Sequence, residues 1–288
     1  MKFCVSLAFT DLTHYVETAK TAEEYGWNYA VVSDHVVHPE KIATPYPYTH
    51  DGAPRWESTA PWPDPIVAIA AMASATHRLR FMTSVFVLPL RNPFLVAKAV
   101  GTTSLVSGNR LTLGIGAGWM EDEFRLMDQD FRCRGRRMDE MIDVMRKLWT
   151  GEMVEHRGEF YPFDRLQMSP GLTEPVPIWS GGISEAALRR VGRVTDGWIS
   201  DLHSTEELRE LIGKVRRYRA DAGRGDEPLP IVGACTDAVG VDGIRRLEEI
   251  GVTHLLTLPW VFYGLDGQTL EGKKEGLRRF AEDVIAAF

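Results

Sequence analysis

The chain has 288 residues, 44% hydrophobic and 25% charged, an ordinary soluble composition with apolar material for a sizeable core. Its formal net charge of −7 argues against a nucleic-acid partner, whose phosphate backbone calls for a basic face. Three widely spaced cysteines, Cys4, Cys133 and Cys235, provide neither a disulfide framework nor metal-ligand spacing, so no metal site is expected. The opening MKFCVSLAF runs at once into Thr10 and Asp11, too short for a signal segment. No stretch approaches a membrane span, and a cytoplasmic protein without membrane contact is expected.

Lys2–Ala8 reads as the first strand, and a helix follows over Leu12–Tyr25, with Asp11 as N-cap and Gly26 just past its end. Seven further strands are predicted at Tyr29–Ser33, Leu79–Val87, Arg110–Ile115, Pro177–Ser180, Gly197–Ser200, Leu229–Ala234 and His254–Leu258. Helices are predicted over Asp64–Thr76, Phe94–Ser107, Arg136–Thr150, Ser184–Thr195, Thr205–Ala222 and Val241–Ile250, with a last amphipathic stretch over Leu270–Phe288. Short apolar strands alternating with helices indicate parallel βαβ units. At this length they favour an α/β fold of the (β/α)₈ (TIM) barrel type, one domain over residues 1–288, with an open doubly wound sheet as the alternative.

Two segments interrupt the alternation. Val36–Pro63 is long, rich in proline and aromatic residues, and follows strand two, which places it over the C-terminal face as a lid. Glu152–Pro175 reads as a hairpin or extended arm inserted before strand five and packed on the outside of the barrel.

A barrel of this kind builds its site from strand ends and the loops after them. Strand two ends in Ser33-Asp34-His35; His35 could move a proton, and Asp34 could orient it or simply tie down the loop. Strand four runs out through Gly114, Gly116 and Gly118 to Trp119, then to the acidic Glu121, Asp122 and Glu123. The alternating glycines allow close approach of a planar ligand, or equally tight packing; they do not make a dinucleotide fingerprint, which needs glycine where Trp119 stands. Gly181-Gly182 immediately before a helix offers bare amides to a phosphate, and Ser184 could join them or cap the helix. Arg189, Arg190 and Arg193 on that helix read as a solvated face or as contacts for an acidic ligand tail.

These blocks, in their order, resemble the bacterial-luciferase-like superfamily of flavin and deazaflavin oxidoreductases, and within it the branch assigned to coenzyme F420, a 5-deazaflavin. The likeness is carried by SDH at 33–35, TSVFVLPLRNPFLVAKAV at 83–100, Asn109-Arg110-Leu111, GIGAGWMEDEF at 114–124, RGRRMDEMIDVMRKLW at 134–149, GEFYPF at 158–163, PIWSGG at 177–182 and DGW at 196–198. The resemblance implies a (β/α)₈ barrel with an insertion before strand five and a cofactor ring over the strand C-termini. It further implies a cis peptide at Ser84–Val85 behind that ring, a phosphate turn at Gly181-Gly182, ring contacts from Asp34 and His35, and a homodimer. A sugar-phosphate dehydrogenase of the superfamily has a catalytic glutamate directly after its GxGxG strand end. Trp119 stands there in this chain and suggests an apolar substrate or a stacking contact.

The reading that follows is hydride transfer between coenzyme F420 and a small organic substrate. His35 would be the proton donor or acceptor. Asp34, Ser84, Val85, Gly116, Gly118, Gly181, Gly182 and Ser184 would hold the cofactor, and Trp56, Trp62 and Trp119 would line the substrate pocket. The alternatives are an FMN-dependent monooxygenase using O₂ and a barrel that binds the deazaflavin without catalysis.

Overall fold

The structure is a computed structural model describing residues 1–288. Strands β1 (Lys2–Ser6), β2 (Tyr29–Val32), β3 (Arg80–Thr83), β5 (Leu111–Gly116), β8 (Ile178–Gly181), β9 (Gly197–His203), β10 (Ile231–Cys235) and β11 (His254–Thr257) form one parallel sheet. It closes where β3 meets β5, with Phe81 opposite Leu111 and Met82 opposite Thr112. Closure leaves no free edge and settles the architecture as the (β/α)₈ barrel rather than an open sheet.

The strand expected over Leu79–Val87 is in fact two. A short β4 (Phe86–Val87) follows β3, and the Ser84–Val85 peptide between them is cis. Phe81 pairs with Leu111, but Phe86 pairs with Ile115, so the register slips by one residue across the break. Val85 packs against the cluster that fills the barrel interior, made of Cys4, Tyr29, Val31, Met82, Trp179, Ile199 and Val232.

The surrounding helices are α1 (Tyr15–Glu24), α2 (Pro65–Ser74), α3 (Pro93–Val106), α4 (Glu121–Leu126), α5 (Arg134–Trp149), α6 (Glu185–Arg193), α7 (Thr205–Asp221), α8 (Gly240–Ile250), α9 (Pro259–Phe262) and α10 (Leu270–Asp283). Their inner faces and the outward faces of the strands share a core of 49 buried residues. Local chemistry sets their starts: Asp64 accepts from the Ile66 and Val67 amides to cap α2, Asn92 caps α3 ahead of Pro93, and Ser204 with Glu207 forms a capping box on α7. The short α4 and α9 escape sequence reading, because four to six residues hold too little of a 3.6-residue period.

The insertion is an antiparallel hairpin, β6 (Met153–His156) with β7 (Phe163–Gln167), outside the barrel sheet. Phe163 meets Phe94 of α3 edge-on at 5.3 Å, and His156 is buried against α5. No helix is long and apolar enough to cross a membrane.

Candidate active site at the C-terminal mouth of the barrel

The C-terminal ends of β2, β4, β5 and β8 meet at one mouth. Asp34, at the end of β2, is buried and makes a bidentate ion pair with Arg91 at 2.6 and 2.8 Å. Its Oδ2 also accepts the Val87 amide at 2.8 Å, so this carboxylate ties β2 to β4. It does not orient His35. That partner is Glu123 of α4, whose Oε2 lies 3.0 Å from His35 Nδ1. Glu123 Oε1 accepts the Val36 amide at 2.7 Å and the Val37 amide at 3.4 Å, at the first turn of the lid. Glu123 is 1% exposed.

The lid over residues 36–63 covers this end, as its position after strand two required. Trp62 stands edge-on to the His35 ring at 4.8 Å, Trp56 lies at 5.0 Å and Trp119 at 5.9 Å, so the three tryptophans and the histidine share one box. Two further rings, not assigned to the pocket from sequence, complete it: Phe9, and Tyr46 of the aromatic segment. Phe9 stacks on Trp56 at 6.0 Å from the end of β1, and Tyr46 meets Trp56 and Trp119 at 5.2 and 5.1 Å. Phe9 takes a left-handed φ of 62°, uncommon for an aromatic residue. Burial, and then the nearby Asp201 carboxylate, push the Tyr46 phenol well above its ordinary range and keep it neutral. The Trp62 indole N–H is buried without a partner. Arg55 clasps the lid to the end of β9 through a bidentate pair with Asp201 at 3.0 and 2.9 Å, and donates to the Tyr48 carbonyl at 2.7 Å.

The glycines fall into two roles. A Cβ on Gly116 would meet Val85 Cγ2 at 2.5 Å, and one on Gly181 would meet Val85 Cγ1 at 2.7 Å. Both therefore make room for Val85, which caps the barrel interior between them. Gly118 has φ of +82°, and its missing Cβ accommodates Phe124 and Val87, each at 2.7 Å. Gly182 takes φ of +108°, a conformation strained for any side chain, at the turn into α6. Ser184 is the N-cap of α6, accepting from the Ala187 amide at 3.3 Å; of its two readings, the capping one is what this geometry displays. Arg189 pairs with Glu185 on the exposed face of α6, and Arg190 is buried against α5 through Asp139 and the Gly135 carbonyl, so both guanidinium groups are engaged within the protein.

A cleft of about 800 Å³ opens elsewhere, beside Trp149, Leu172 and Asp196, and carries none of these strand-end residues. The mouth itself is bordered by the half-buried rings of Trp56, Trp62 and Trp119. A floor formed by Val85 between two glycines, next to a glycine turn at a helix start, fits a planar ring with a phosphate-bearing tail.

A closed (β/α)₈ barrel with a histidine under an aromatic lid at its C-terminal mouth has the arrangement of a barrel enzyme, whose site lies at the strand C-termini. Residues 4–275 match the family described as luciferase-like monooxygenase, and the chain belongs to that family. An uncharacterized protein of Mycobacterium tuberculosis is 39% identical over 289 residues, 99% of each chain. An F420-dependent glucose-6-phosphate dehydrogenase of Nakamurella multipartita is 32% identical over 238 residues, 81% of this chain and 66% of that one. The solved structure of the coenzyme F420-dependent tetrahydromethanopterin reductase from Methanopyrus kandleri superposes with a TM-score of 0.75. It is 14% identical and covers 100% of this chain and 99% of the reductase, a likeness of fold.

Proposed function

We propose that this protein transfers a hydride between coenzyme F420 and a small uncharged organic substrate. The observation that carries the reading is His35: Nδ1 is held by Glu123 at 3.0 Å, Nε2 bonds to nothing in the protein, and three tryptophans enclose the ring. A half-engaged imidazole in such a box is equipped to give or take the proton that accompanies hydride transfer. When bound, the deazaflavin supplies the carbon that gives or takes the hydride. The protein's share is binding, orientation and exclusion of water.

Ser84, Val85, Gly116 and Gly118 would form the floor under the ring, and the amides at Gly181, Gly182 and Ser184 would hold its phosphate. Asp34 would serve the same floor by holding Val87 and Arg91 in place. Trp56, Trp62 and Trp119 would bound the substrate. Arg55, the cation that reaches the box, is neutralised by Asp201, which favours an uncharged substrate over a sugar phosphate. We also propose a cytoplasmic homodimer joined through the outer faces of α2 and α3. Val67, Leu95 and Val106 stand 69%, 73% and 60% exposed there. Lys98, the one charged residue on either helix, is turned onto the Ser169 carbonyl at 2.6 Å. Sedimentation should give a dimer that Leu95→Glu splits; a monomeric wild type ends that part.

The word monooxygenase in the family's description supports the second reading, a monooxygenase using FMN and O₂. Titrating the protein with the deazaflavin and with FMN, each followed by fluorescence quenching, separates the two. The deazaflavin should bind at least about tenfold more tightly, a difference of about 1.4 kcal/mol. Tighter FMN binding with O₂ consumption would overturn the proposal, and deazaflavin binding without reduction by any alcohol would favour a non-catalytic barrel.

A further inference from the structure

Glu123 lies four residues beyond Trp119, in a short helix, and no part of the hydride chemistry requires it to touch substrate. Its surroundings are nevertheless specific. Met120 and Phe124 flank it in the buried layer, and its side chain is 2% exposed. A carboxylate this deeply buried must have its oxygens satisfied. Oε1 takes the Val36 and Val37 amides, and Oε2 faces His35 Nδ1 at 3.0 Å. Asp34, adjacent to His35 in sequence, cannot take this place, because Arg91 and the Val87 amide occupy both of its oxygens.

We infer that Glu123 is the positioning residue of the site: it holds neutral His35 as the Nδ1–H tautomer and so leaves the Nε2 lone pair as the proton acceptor at the mouth. An ionised carboxylate only accepts, so the proton in the His35–Glu123 contact sits on Nδ1. Neutral imidazole has one ring proton, and Nε2 is therefore bare. By tying the same carboxylate to the Val36 and Val37 amides, the chain also couples the ring's orientation to the first turn of the lid. Resting on the hydride-transfer reading, the proton leaving a substrate hydroxyl oxygen goes to His35 Nε2, and in reverse the imidazolium returns it from Nε2 to the substrate oxygen. Glu123 remains the acceptor for the Nδ1–H throughout and stabilises the imidazolium.

Glutamine at this position makes the sharpest test. It has one acceptor oxygen, and two lid amides demand it. Its NH₂ then faces Nδ1 as a donor, and the ring proton must move to Nε2. Long-range ¹H–¹⁵N spectra of the full-length protein without cofactor read the tautomer directly, with the His35 ring assigned through its loss in His35→Gln. The neutral wild type should show protonated Nδ1 and bare Nε2, Glu123→Gln should reverse the pattern, and Glu123→Asp should restore the wild-type pattern at least in part. A wild type protonated at Nε2, or an unchanged tautomer in a folded Glu123→Gln, overturns the inference; the wild-type spectrum decides even if the variant fails to fold. Once a substrate is in hand, Glu123→Gln should lower kcat on the order of 10²-fold with KM changed less than about threefold. A purely structural role would instead give equal losses in every variant, without rescue by aspartate. The two readings fail separately: the tautomer result stands without cofactor, whereas absence of deazaflavin binding would remove the proposed function alone.

Discussion

The barrel mouth and the inserted hairpin contain the same local device and use it differently. In each, a histidine with little exposed surface faces a glutamate on a helix, and that glutamate also gathers the backbone amides of the loop after the histidine. At the mouth, His35 faces Glu123, which takes the Val36 and Val37 amides. At the hairpin, His156 Nε2 faces Glu140 at 3.2 Å, and Glu140 takes the amides of Glu159, Phe160 and Tyr161 at 2.9, 3.0 and 2.7 Å. The difference lies on the other ring nitrogen. His156 Nδ1 is within 3.3 Å of Asp143 and 3.0 Å of Lys147, whereas His35 Nε2 has no protein partner. The histidine at the hairpin is engaged at both nitrogens; the one at the strand C-termini keeps a nitrogen free for the proposed proton transfer.

The largest expected effect breaks the comparison outright. His35→Ala should cost about 10²–10⁴-fold in turnover while cofactor affinity stays within a few-fold. His156→Ala should leave turnover near wild type and lower stability by about 1–3 kcal/mol, because Glu140 loses a buried partner. Single-turnover kinetics and denaturant melts read the two quantities. Equal kinetic losses would sink the distinction.

Glycines sharpen it next. Gly181→Val forces Val85 aside, since even a Cβ would approach its Cγ1 to 2.7 Å, and should weaken cofactor binding by about tenfold or more, well out of proportion to its lowering of the melting temperature. Gly158→Ala drives a Cβ into Glu140 Oε1 and His156 Nε2, and should lower the melting temperature with cofactor affinity intact. Titration and thermal melts of both variants test the pair, and crossed outcomes would assign the roles the other way.

The pH dependence is subtler. Burial tends to raise the Glu140 carboxyl, but the Phe160, Tyr161 and Glu159 amides together with His156 outweigh it and hold the group below its ordinary 4.5. A carboxyl depressed on folding contributes stability above its unfolded value, and that contribution disappears as pH falls through the folded one. Wild type should therefore lose stability below about pH 4.5 relative to Glu140→Gln, seen as converging melting curves. Parallel curves down to pH 2 would remove Glu140 from that dependence. The smallest effect is at the lid clasp. Arg55→Ala should raise substrate KM by no more than about fivefold, as a partly exposed ion pair contributes about 0.2–1 kcal/mol. A larger loss, concentrated in kcat, would mean that the clasp acts on the chemistry.

Much of this was written in local sequence. Apolar runs of four to six residues, caps such as Asp64 and Asn92, and punctuating glycines act over a few residues, so strand and helix order is readable without a structure. The order of motifs carried the family, and the position of the long aromatic segment after strand two placed it over the mouth. What tertiary structure decided was partnership. His35 and Glu123 are 88 residues apart, Asp34 and Arg91 are 57 apart, and Arg55 and Asp201 are 146 apart. Adjacency suggested Asp34 as the partner of His35, and the only hint of the true one was the acidic run Glu121-Asp122-Glu123 set between apolar Met120 and Phe124. Likewise, alternating glycines at a strand end do not say whether they face a ligand or a side chain; the one-residue slip between β3 and β4 brings Val85 into that space. A hydrogen bond depends on ångström-scale positions, and only closure of the barrel sets which distant strand ends come within that reach.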